Sequence, residues 1–424
     1  MIRRLFAFLI FIVFCASTLF SVHAQVQEGE VVETVLDNGL KVLTVEIHNA
    51  PIIYSQLSYK VGSRNEDVGS TGIAHITEHM MFKGTPNYPA GTISQIIKNN
   101  AGVFNAFTSN DITAYYEQMP KNKIDQALAI ESDRMYNCVI DSAELARELN
   151  VIMEERRMRT ENNPLGLFAE EFNAIAFKSS PYHWPVIGWM DDIKKTTRDQ
   201  VFSFYRTYYA PNNATLVLVG DFETSKMLET VKKYFGKIPR GPEVDQTVTS
   251  EIEQLSTRSV TLKRPDVRTA TLRLGWHTPG IGHPDNAALY FLARILGGGK
   301  TSRLRKELVE EKKLVTRISA RTTFGKDPYL FLINAELRKE KMDRMGEVKD
   351  IIFSEIEKIK RESVSDYELQ KIKNKIAYNE VSENLKISGI GSRLSRYETY
   401  VSWKFYDDWK KQRQAVTVDD VQRV

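Results

Sequence analysis

The sequence predicts an α+β protein of two similar domains, each a mostly antiparallel sheet packed with helices. Three observations lead to this fold class. The chain has 424 residues, 42% of them hydrophobic, which is too long for one ordinary domain and enough for two cores. Strand-like and helix-like segments are mixed along its first half. A polar stretch without periodicity covers residues 239–259, and the mixed pattern starts again beyond it.

Residues 1–24 have the pattern of a signal peptide. They contain a basic pair at residues 3–4, an apolar run over residues 5–14 and a small-residue cleavage site at residues 22–24. An uncleaved membrane anchor is the alternative, but the apolar run is shorter than the ~20 residues that a membrane span needs. We therefore expect an exported, periplasmic protein with no stable membrane segment after cleavage.

The net charge and the cysteine content indicate which partners and cross-links to expect. The formal net charge is +4, and it falls to +2 (4 minus 2) when Arg3 and Arg4 leave with the signal peptide. A nearly neutral chain predicts no nucleic-acid or membrane-surface partner. After cleavage only Cys138 remains of the two cysteines, so no intrachain disulfide is expected.

The first expected domain, residues 25–238, opens with a hairpin signal. Two β-rich runs within residues 31–46 flank Asp37-Asn38-Gly39, a sequence typical of a tight turn between paired strands. The further candidates in this half are residues 52–61 (strand), 71–81 (helix), 142–159 (helix) and 214–220 (strand).

Short echoes between the halves indicate an internal duplication. Residues 197–201 (TRDQV) recur as residues 417–421 (TVDDV), and Glu-Leu at 144–145 recurs at 368–369, so the two offsets agree closely. They favour a second, homologous domain over residues 260–424, with residues 239–259 as the linker. In the first half the repeated segment is followed by a helix and a strand, so we expect the second domain to be truncated at its C-terminus.

His75-Ile-Thr-Glu-His79 is the motif with the clearest chemistry. On a helix, residues four apart lie one turn above each other, so both imidazoles can hold one ion. Glu78 reaches the edge of that site without being a ligand. This order is the inverse of the more common His-Glu-x-x-His helix and is typical of inverzincin metallopeptidases. The bland alternative, two histidines satisfied in a core or on a surface, fits this spacing poorly.

A catalytic zinc takes three protein ligands, so a third must come from elsewhere in the chain. Glu148 and Glu155 are seven residues apart on the expected helix 142–159 and share one face. Helical geometry allows either glutamate to bind the metal and the other to hydrogen-bond a ligand histidine. Taken by itself, such a carboxylate face is more often solvated surface.

The segment from His75 to Thr85 resembles the metal helix of the pitrilysin, insulinase and mitochondrial processing peptidase family, in the short-chain branch whose members pair up. In that family a glutamate at the spacing of Glu155 is the third ligand, and one at the spacing of Glu148 supports a histidine. The resemblance therefore implies one zinc ion per chain, held by His75, His79 and Glu155.

The resemblance extends over nearly all of the mature chain. Residues 102–108 are similar to the family's substrate-binding edge strand, which implies peptide binding at Asn105, Ala106 and Phe107. A peptide would add alongside the strand through backbone hydrogen bonds that ignore sequence. Read without the family, the segment is a short strand with an exposed polar residue.

The glycine-rich stretch at residues 296–304 resembles a family loop that runs on to an arginine and, seven residues later, a tyrosine. In the family this pair holds the substrate carbonyl. The corresponding positions here are Val309 and Thr316, so we expect a homologous partner subunit to supply the pair in a heterodimer. The stretch also lacks the Gly-Lys-Ser/Thr spacing of a phosphate-binding loop.

Together these features predict a zinc-dependent endopeptidase subunit that hydrolyses unfolded peptides. Glu78 would take a proton from a zinc-activated water and pass it to the leaving amine. In the family four similar domains enclose the substrate, which implies that this chain forms half of a clamshell. The alternatives are a non-catalytic structural subunit and a peptide-binding subunit of the same fold.

Overall fold

The first half of the chain folds around a mixed sheet that is mostly antiparallel. A computed structural model describes residues 29–424, so the expected signal peptide at residues 1–24 lies outside the described residues. The strands are β1 Val31–Val35, β2 Lys41–Glu46, β3 Ile52–Tyr59, β4 Val103–Thr108, β5 Thr113–Pro120, β6 Ala214–Gly220, β7 Thr271–Thr278, β8 Val315–Thr323 and β9 Tyr329–Leu337. The first sheet has the order β1-β2-β6-β3-β5-β4, and among its described strands only the β2–β6 pair is parallel.

Helices cover both halves and agree with the helical candidates in the sequence. They are α1 Ile73–Met80, α2 Thr92–Asn99, α3 Ile124–Asn137, α4 Ser142–Arg156, α5 Pro164–Ala176, α6 Met190–Lys195, α7 Arg198–Tyr208, α8 Thr224–Phe235, α9 Asp285–Gly297, α10 Arg303–Arg305, α11 Met345–Arg361, α12 Asp366–Asn384, α13 Ile387–Tyr400, α14 Phe405–Ala415 and α15 Val418–Arg423. α4 continues as a π-helical turn to Glu161, and α10 continues in the same way to Glu311. No helix of residues 29–424 is long and apolar enough to cross a membrane.

The first sheet is buried on both faces because its side chains alternate between two cores. Leu57 and Leu216 point into the larger core, where α1, α3 and α7 also bury their apolar sides. Val217 and Val219 point the other way, into a smaller core with Leu394 of α13. The sheet thus carries α1 on one face, which fixes the position of the helix that bears the histidine motif.

The second half repeats the central part of this plan. Within the described residues its sheet has the order β7-β9-β8, which matches β3-β5-β4 of the first sheet in chain order and in antiparallel pairing. Helices α9, α11 and α12 follow and interleave these strands as α1, α3 and α4 do in the first half, and they enclose a separate apolar core. The chain therefore has two similar α+β domains.

The segment expected as a linker contains no helix or strand, and this irregular backbone continues from residue 239 to residue 270. It is nevertheless held against the first domain. The Glu251 carboxylate accepts hydrogen bonds from the backbone N–H groups of Lys178, Ser179 and Ser180, at 2.9, 3.0 and 3.0 Å. These hydrogen bonds fix the middle of the linker to the first domain.

Helix α13 belongs to the second half in sequence but packs on the first sheet. The side chain of Gln56 donates to the Ser395 hydroxyl at 2.8 Å, and the Tyr54 hydroxyl lies 3.0 Å from that of Ser392. Gly391 allows the close approach, because a Cβ atom there would lie 2.4 Å from the Tyr54 ring. This helix joins the two domains through contacts that no local sequence pattern predicts.

Candidate metal centre

The histidine motif lies on α1, and the start of this helix is fixed by buried groups. Gly72 precedes the helix with φ of +89°, and a Cβ atom there would lie 2.5 Å from the Ile187 carbonyl oxygen. The buried Glu66 carboxylate accepts hydrogen bonds from the backbone N–H groups of Gly72 and Ala74, each at 2.9 Å. A carboxylate at a helix N-terminus satisfies otherwise unpaired donors there.

His75 and His79 project from the same side of α1, as their spacing predicts, with ring centroids 4.6 Å apart. The Glu155 Oε2 atom lies 3.9 Å from His75 Nε2 and 3.6 Å from His79 Nε2. One ligand atom from each of the three residues falls within 4.8 Å of the others, and within residues 29–424 this is the one such group of three.

These separations fit a zinc ion. Bonds of about 2.0–2.1 Å at tetrahedral angles place two ligand atoms roughly 3.3 Å apart, so the observed distances need only a small contraction. Two imidazoles and one carboxylate form a donor set known from catalytic zinc sites, where a fourth position stays available for water. The side chains present thus match the metal that the motif predicts.

Glu148 and Glu155 share a face of α4 but reach different atoms. The Glu148 Oε1 atom lies 2.8 Å from His79 Nδ1, on the side of the ring opposite to the cluster, and its Oε2 atom forms an ion pair with Lys83. The Glu155 Oε1 atom pairs with Arg159 at 2.8 Å, which leaves Oε2 facing the imidazoles. The two roles that the helical spacing left open are therefore separated by geometry.

Burial and hydrogen bonds together set the charge of these groups. It lowers the pKa of His75 to about 3, with further contributions from His79 and Arg159, so this imidazole is neutral and able to donate its lone pair. For Glu148, burial alone would raise the pKa, but hydrogen bonds from His79 and Lys83 prevail and lower it. A metal ligand and its supporting carboxylate need these charge states.

Glu78 lies in the cleft that is lined by His75 and His79, and its side chain is largely buried. Its Oε2 atom accepts a hydrogen bond from the Thr108 hydroxyl at 2.6 Å. Burial raises the pKa of Glu78, and the hydrogen bond from Thr108 opposes that shift. A carboxylate held in one orientation beside the candidate metal ligands can accept and return a proton.

The cleft around these residues has a volume of about 1170 Å³, and strand β4 forms one of its walls. Within residues 29–424, β4 is the edge of its sheet and pairs with β5 alone. Asn105, Ala106 and Phe107, expected from the sequence to bind substrate, line the cleft together with the histidines. An exposed strand edge is a ready acceptor for an extended peptide.

Val309 and Thr316 lie in the second domain, at the positions where the family has an arginine and a tyrosine. Val309 is partly buried against the second core. The Thr316 hydroxyl donates to the backbone carbonyl of Glu336 at 3.2 Å. Neither side chain presents a cation or a phenol to a substrate.

Lys83, Thr108 and Arg159 are site residues for which the sequence analysis gave no role. Arg159 follows Glu155 by four residues on one helix, so an acid–base pair at this spacing was a readable signal. Lys83 lies just beyond the end of α1 and reaches the site through its ion pair with Glu148 of α4, which no local spacing indicates. Thr108 approaches Glu78 only through the packing of β4 against α1, and no local pattern could have indicated it.

Comparison with known proteins agrees with this fold. The family model described as Insulinase (Peptidase family M16) matches residues 41–188, and that described as Peptidase M16 inactive domain matches residues 195–376. The Helicobacter pylori protein named zinc protease PqqE is 33% identical over 411 residues, covering 95% of this chain and 91% of its own. A Rickettsia bellii protein named uncharacterized zinc protease is 30% identical, covering 84% and 87%.

Among solved structures, a protease from Helicobacter pylori superposes with a TM-score of 0.89 at 32% identity, covering 94% of this chain and 96% of that one. The chain belongs to the insulinase family of peptidases, M16, in a short two-domain form. The three candidate metal ligands, His75, His79 and Glu155, and the neighbouring Glu78 all fall within the first of the two matched regions, residues 41–188.

Proposed function

We propose that this chain is the zinc-binding subunit of an endopeptidase that hydrolyses unfolded peptides. The observation that carries the proposal is the convergence of the His75, His79 and Glu155 ligand atoms within 4.8 Å beside the Glu78 carboxylate. The names of its relatives, zinc proteases, support the same chemistry. The match to an inactive-domain model covers residues 195–376 and so leaves the site residues outside it.

His75, His79 and Glu155 would hold the metal, with Glu148 orienting the His79 ring through Nδ1. A zinc ion bound there would supply Lewis-acid chemistry, activating a water and polarising a peptide carbonyl. Glu78 accepts the water proton and passes it to the leaving amine. Thr108 donates to Oε2 of that carboxylate and so holds the carboxylate in one orientation.

The substrate would bind as an added strand along β4. Backbone pairing there leaves side chains of the peptide largely unread, which suits a broad range of sequences. Asn105, Ala106 and Phe107 line the cleft beside the metal cradle, so a peptide paired with β4 passes the site where Glu78 acts. A folded protein has no free extended segment to offer, which restricts substrates to unfolded chains.

A second, homologous polypeptide would complete the site. Loss of one donor to the oxyanion costs a factor of about 100 to 1,000 in rate. Because Val309 and Thr316 offer neither an arginine nor a tyrosine, the donors come from a partner chain in a heterodimer. Together the two chains would enclose the peptide as the halves of a clamshell.

We also propose export to the periplasm, on the evidence of the basic, apolar and small-residue segments within residues 1–24. N-terminal sequencing of the native protein would find the mature chain starting at residue 25. Recovery of the full leader on a membrane-bound protein would contradict this.

The decisive test of the function is hydrolysis of an unstructured peptide by the zinc-loaded chain, alone and mixed with a homologous chain that carries the arginine and tyrosine. Mixing should raise the rate sharply, whereas chelator or Glu78→Gln should abolish it. A zinc-loaded mixture that cuts nothing would identify a structural or peptide-binding subunit. Full activity of this chain alone would refute the proposal that a partner subunit completes the site.

A further inference from the structure

The second domain contains a small pocket lined by cations at the counterpart of the metal cleft. It lies between α9, the glycine-rich loop that follows it, and α12, and its volume is about 160 Å³. The Glu-Leu pair at 144–145 recurs at 368–369, an offset of 224 residues, and this offset places Ile372 opposite Glu148 and Asn379 opposite Glu155; both line the pocket. α9 and α12 pack together as α1 and α4 do.

The charge of the pocket is the reverse of that of the metal cleft. Four cationic side chains line it, and none of the described residues that line it is acidic. These are Arg294, Lys300, Lys371 and Lys375. None of the four forms an ion pair with a carboxylate anywhere in residues 29–424, whereas the neighbouring Arg303 is paired with both Glu355 and Glu368. An uncompensated group of cations around a cavity attracts an anion.

Neutral polar groups complete the lining. The Lys371 ammonium group donates to the Thr301 hydroxyl at 3.1 Å, which places it against the glycine-rich loop. Lys375 lies beside Gly299, because a Cβ atom on that glycine would be 3.5 Å from its Nζ atom. Thr301, Ser302 and the loop glycines add hydroxyl and backbone groups within the same wall.

We infer that this pocket binds a carboxylate group of the peptide substrate, its C-terminus or an acidic side chain. The volume leaves room for a carboxylate and a few waters, each water taking about 30 Å³, but not for a ligand of nucleotide size, which needs roughly 300 Å³ or more. The choice of a peptide as the ligand rests on the proposed peptidase function. In the duplicated fold, one domain would then cut the chain and the other would hold its anionic end.

The test is equilibrium binding to the full mature chain carrying Glu78→Gln, measured by calorimetry at low salt, so that no cleavage is required. Three probes separate the sources of the anion: a neutral peptide with a free C-terminal carboxylate, its C-terminal amide, and an amidated peptide with one aspartate. The free acid or the aspartate peptide should bind about tenfold more tightly than the neutral amide, and added salt should remove the difference.

Lys371→Gln with Lys375→Gln should reduce binding of the anionic peptide to the level of the amide. Lys98→Gln with Lys232→Gln is the matched control, since it removes two exposed lysines of the first domain and should change nothing. Equal binding of all three peptides, or unchanged binding by the pocket variant, would overturn the inference. Binding of inorganic phosphate without any preference among the peptides would also overturn it.

Failure of the peptidase proposal has a different signature. In one outcome, the zinc-loaded chain mixed with its partner cuts no peptide, yet the pocket variant still loses binding of the anionic peptide. The proposed peptidase function is then wrong, and carboxylate binding by the pocket is supported. If cleavage is normal and the pocket variant binds like its parent, the pocket is wrong and the function stands.

Discussion

Thr108→Val should slow peptide hydrolysis without loss of the metal. The substitution keeps the shape of the side chain and removes one hydroxyl, which donates to Glu78 Oε2 at 2.6 Å. Glu78 is buried, so water replaces the lost donor poorly. A hydrogen bond to a charged group contributes about 1.5–3 kcal/mol, which corresponds to a rate change of roughly 10- to 150-fold.

The assay is steady-state hydrolysis of a fluorogenic peptide by the complete zinc enzyme. Because the hydroxyl positions the carboxylate that moves the proton, kcat should fall while KM changes little. Thr108→Ser retains the donor and should recover most of the rate. A valine variant within about twofold of the parent, or one that loses zinc together with activity, would refute the role assigned to Thr108.

Three further predictions concern stability, each measured by urea unfolding. Gly391→Ala drives a methyl group into the Tyr54 ring and should cost about 1–3 kcal/mol; an unchanged midpoint would show that α13 does not hold the domains together. Arg134→Met leaves the buried Glu131, now paired with the Arg134 Nε atom at 2.9 Å, without its cation and should cost about 3–5 kcal/mol. The ion pair with Arg303 lowers the pKa of Glu368 from 4.5 to about 2. This pair therefore stabilises the fold fully above about pH 4.5, and the contribution is lost as the pH falls towards 2. Allowing for solvent screening, it amounts to about 1–2 kcal/mol, and Glu368→Gln should flatten that part of the pH profile; an unaltered profile would contradict the assignment.

The sequence predicted what local patterns can encode. The hairpin around residues 37–39, the helix that carries His75 and His79, and the closing strand 214–220 were all predicted and are all confirmed. Each depends on turn residues or apolar periodicity within a few residues. The histidine spacing also fixed which side of α1 forms the site, because helical geometry leaves no freedom there.

Contacts between distant segments were beyond such patterns. Helical spacing could not choose between Glu148 and Glu155, since the choice depends on how α4 is rotated against α1. The docking of Glu251 on residues 178–180 and of α13 on the first sheet joins segments far apart in the chain. These contacts arise from tertiary packing, so only the structure reveals them.

The most direct test of the account is the zinc content of two single variants of α4, measured by inductively coupled plasma mass spectrometry after dialysis. Glu155→Gln replaces the carboxylate that faces both imidazoles, whereas Glu154→Gln changes its exposed neighbour, which pairs with Arg157. We predict about one zinc ion per chain for the parent and for Glu154→Gln, and less than about a tenth of that for Glu155→Gln. Full zinc occupancy in the Glu155→Gln variant would contradict the assignment of the metal centre.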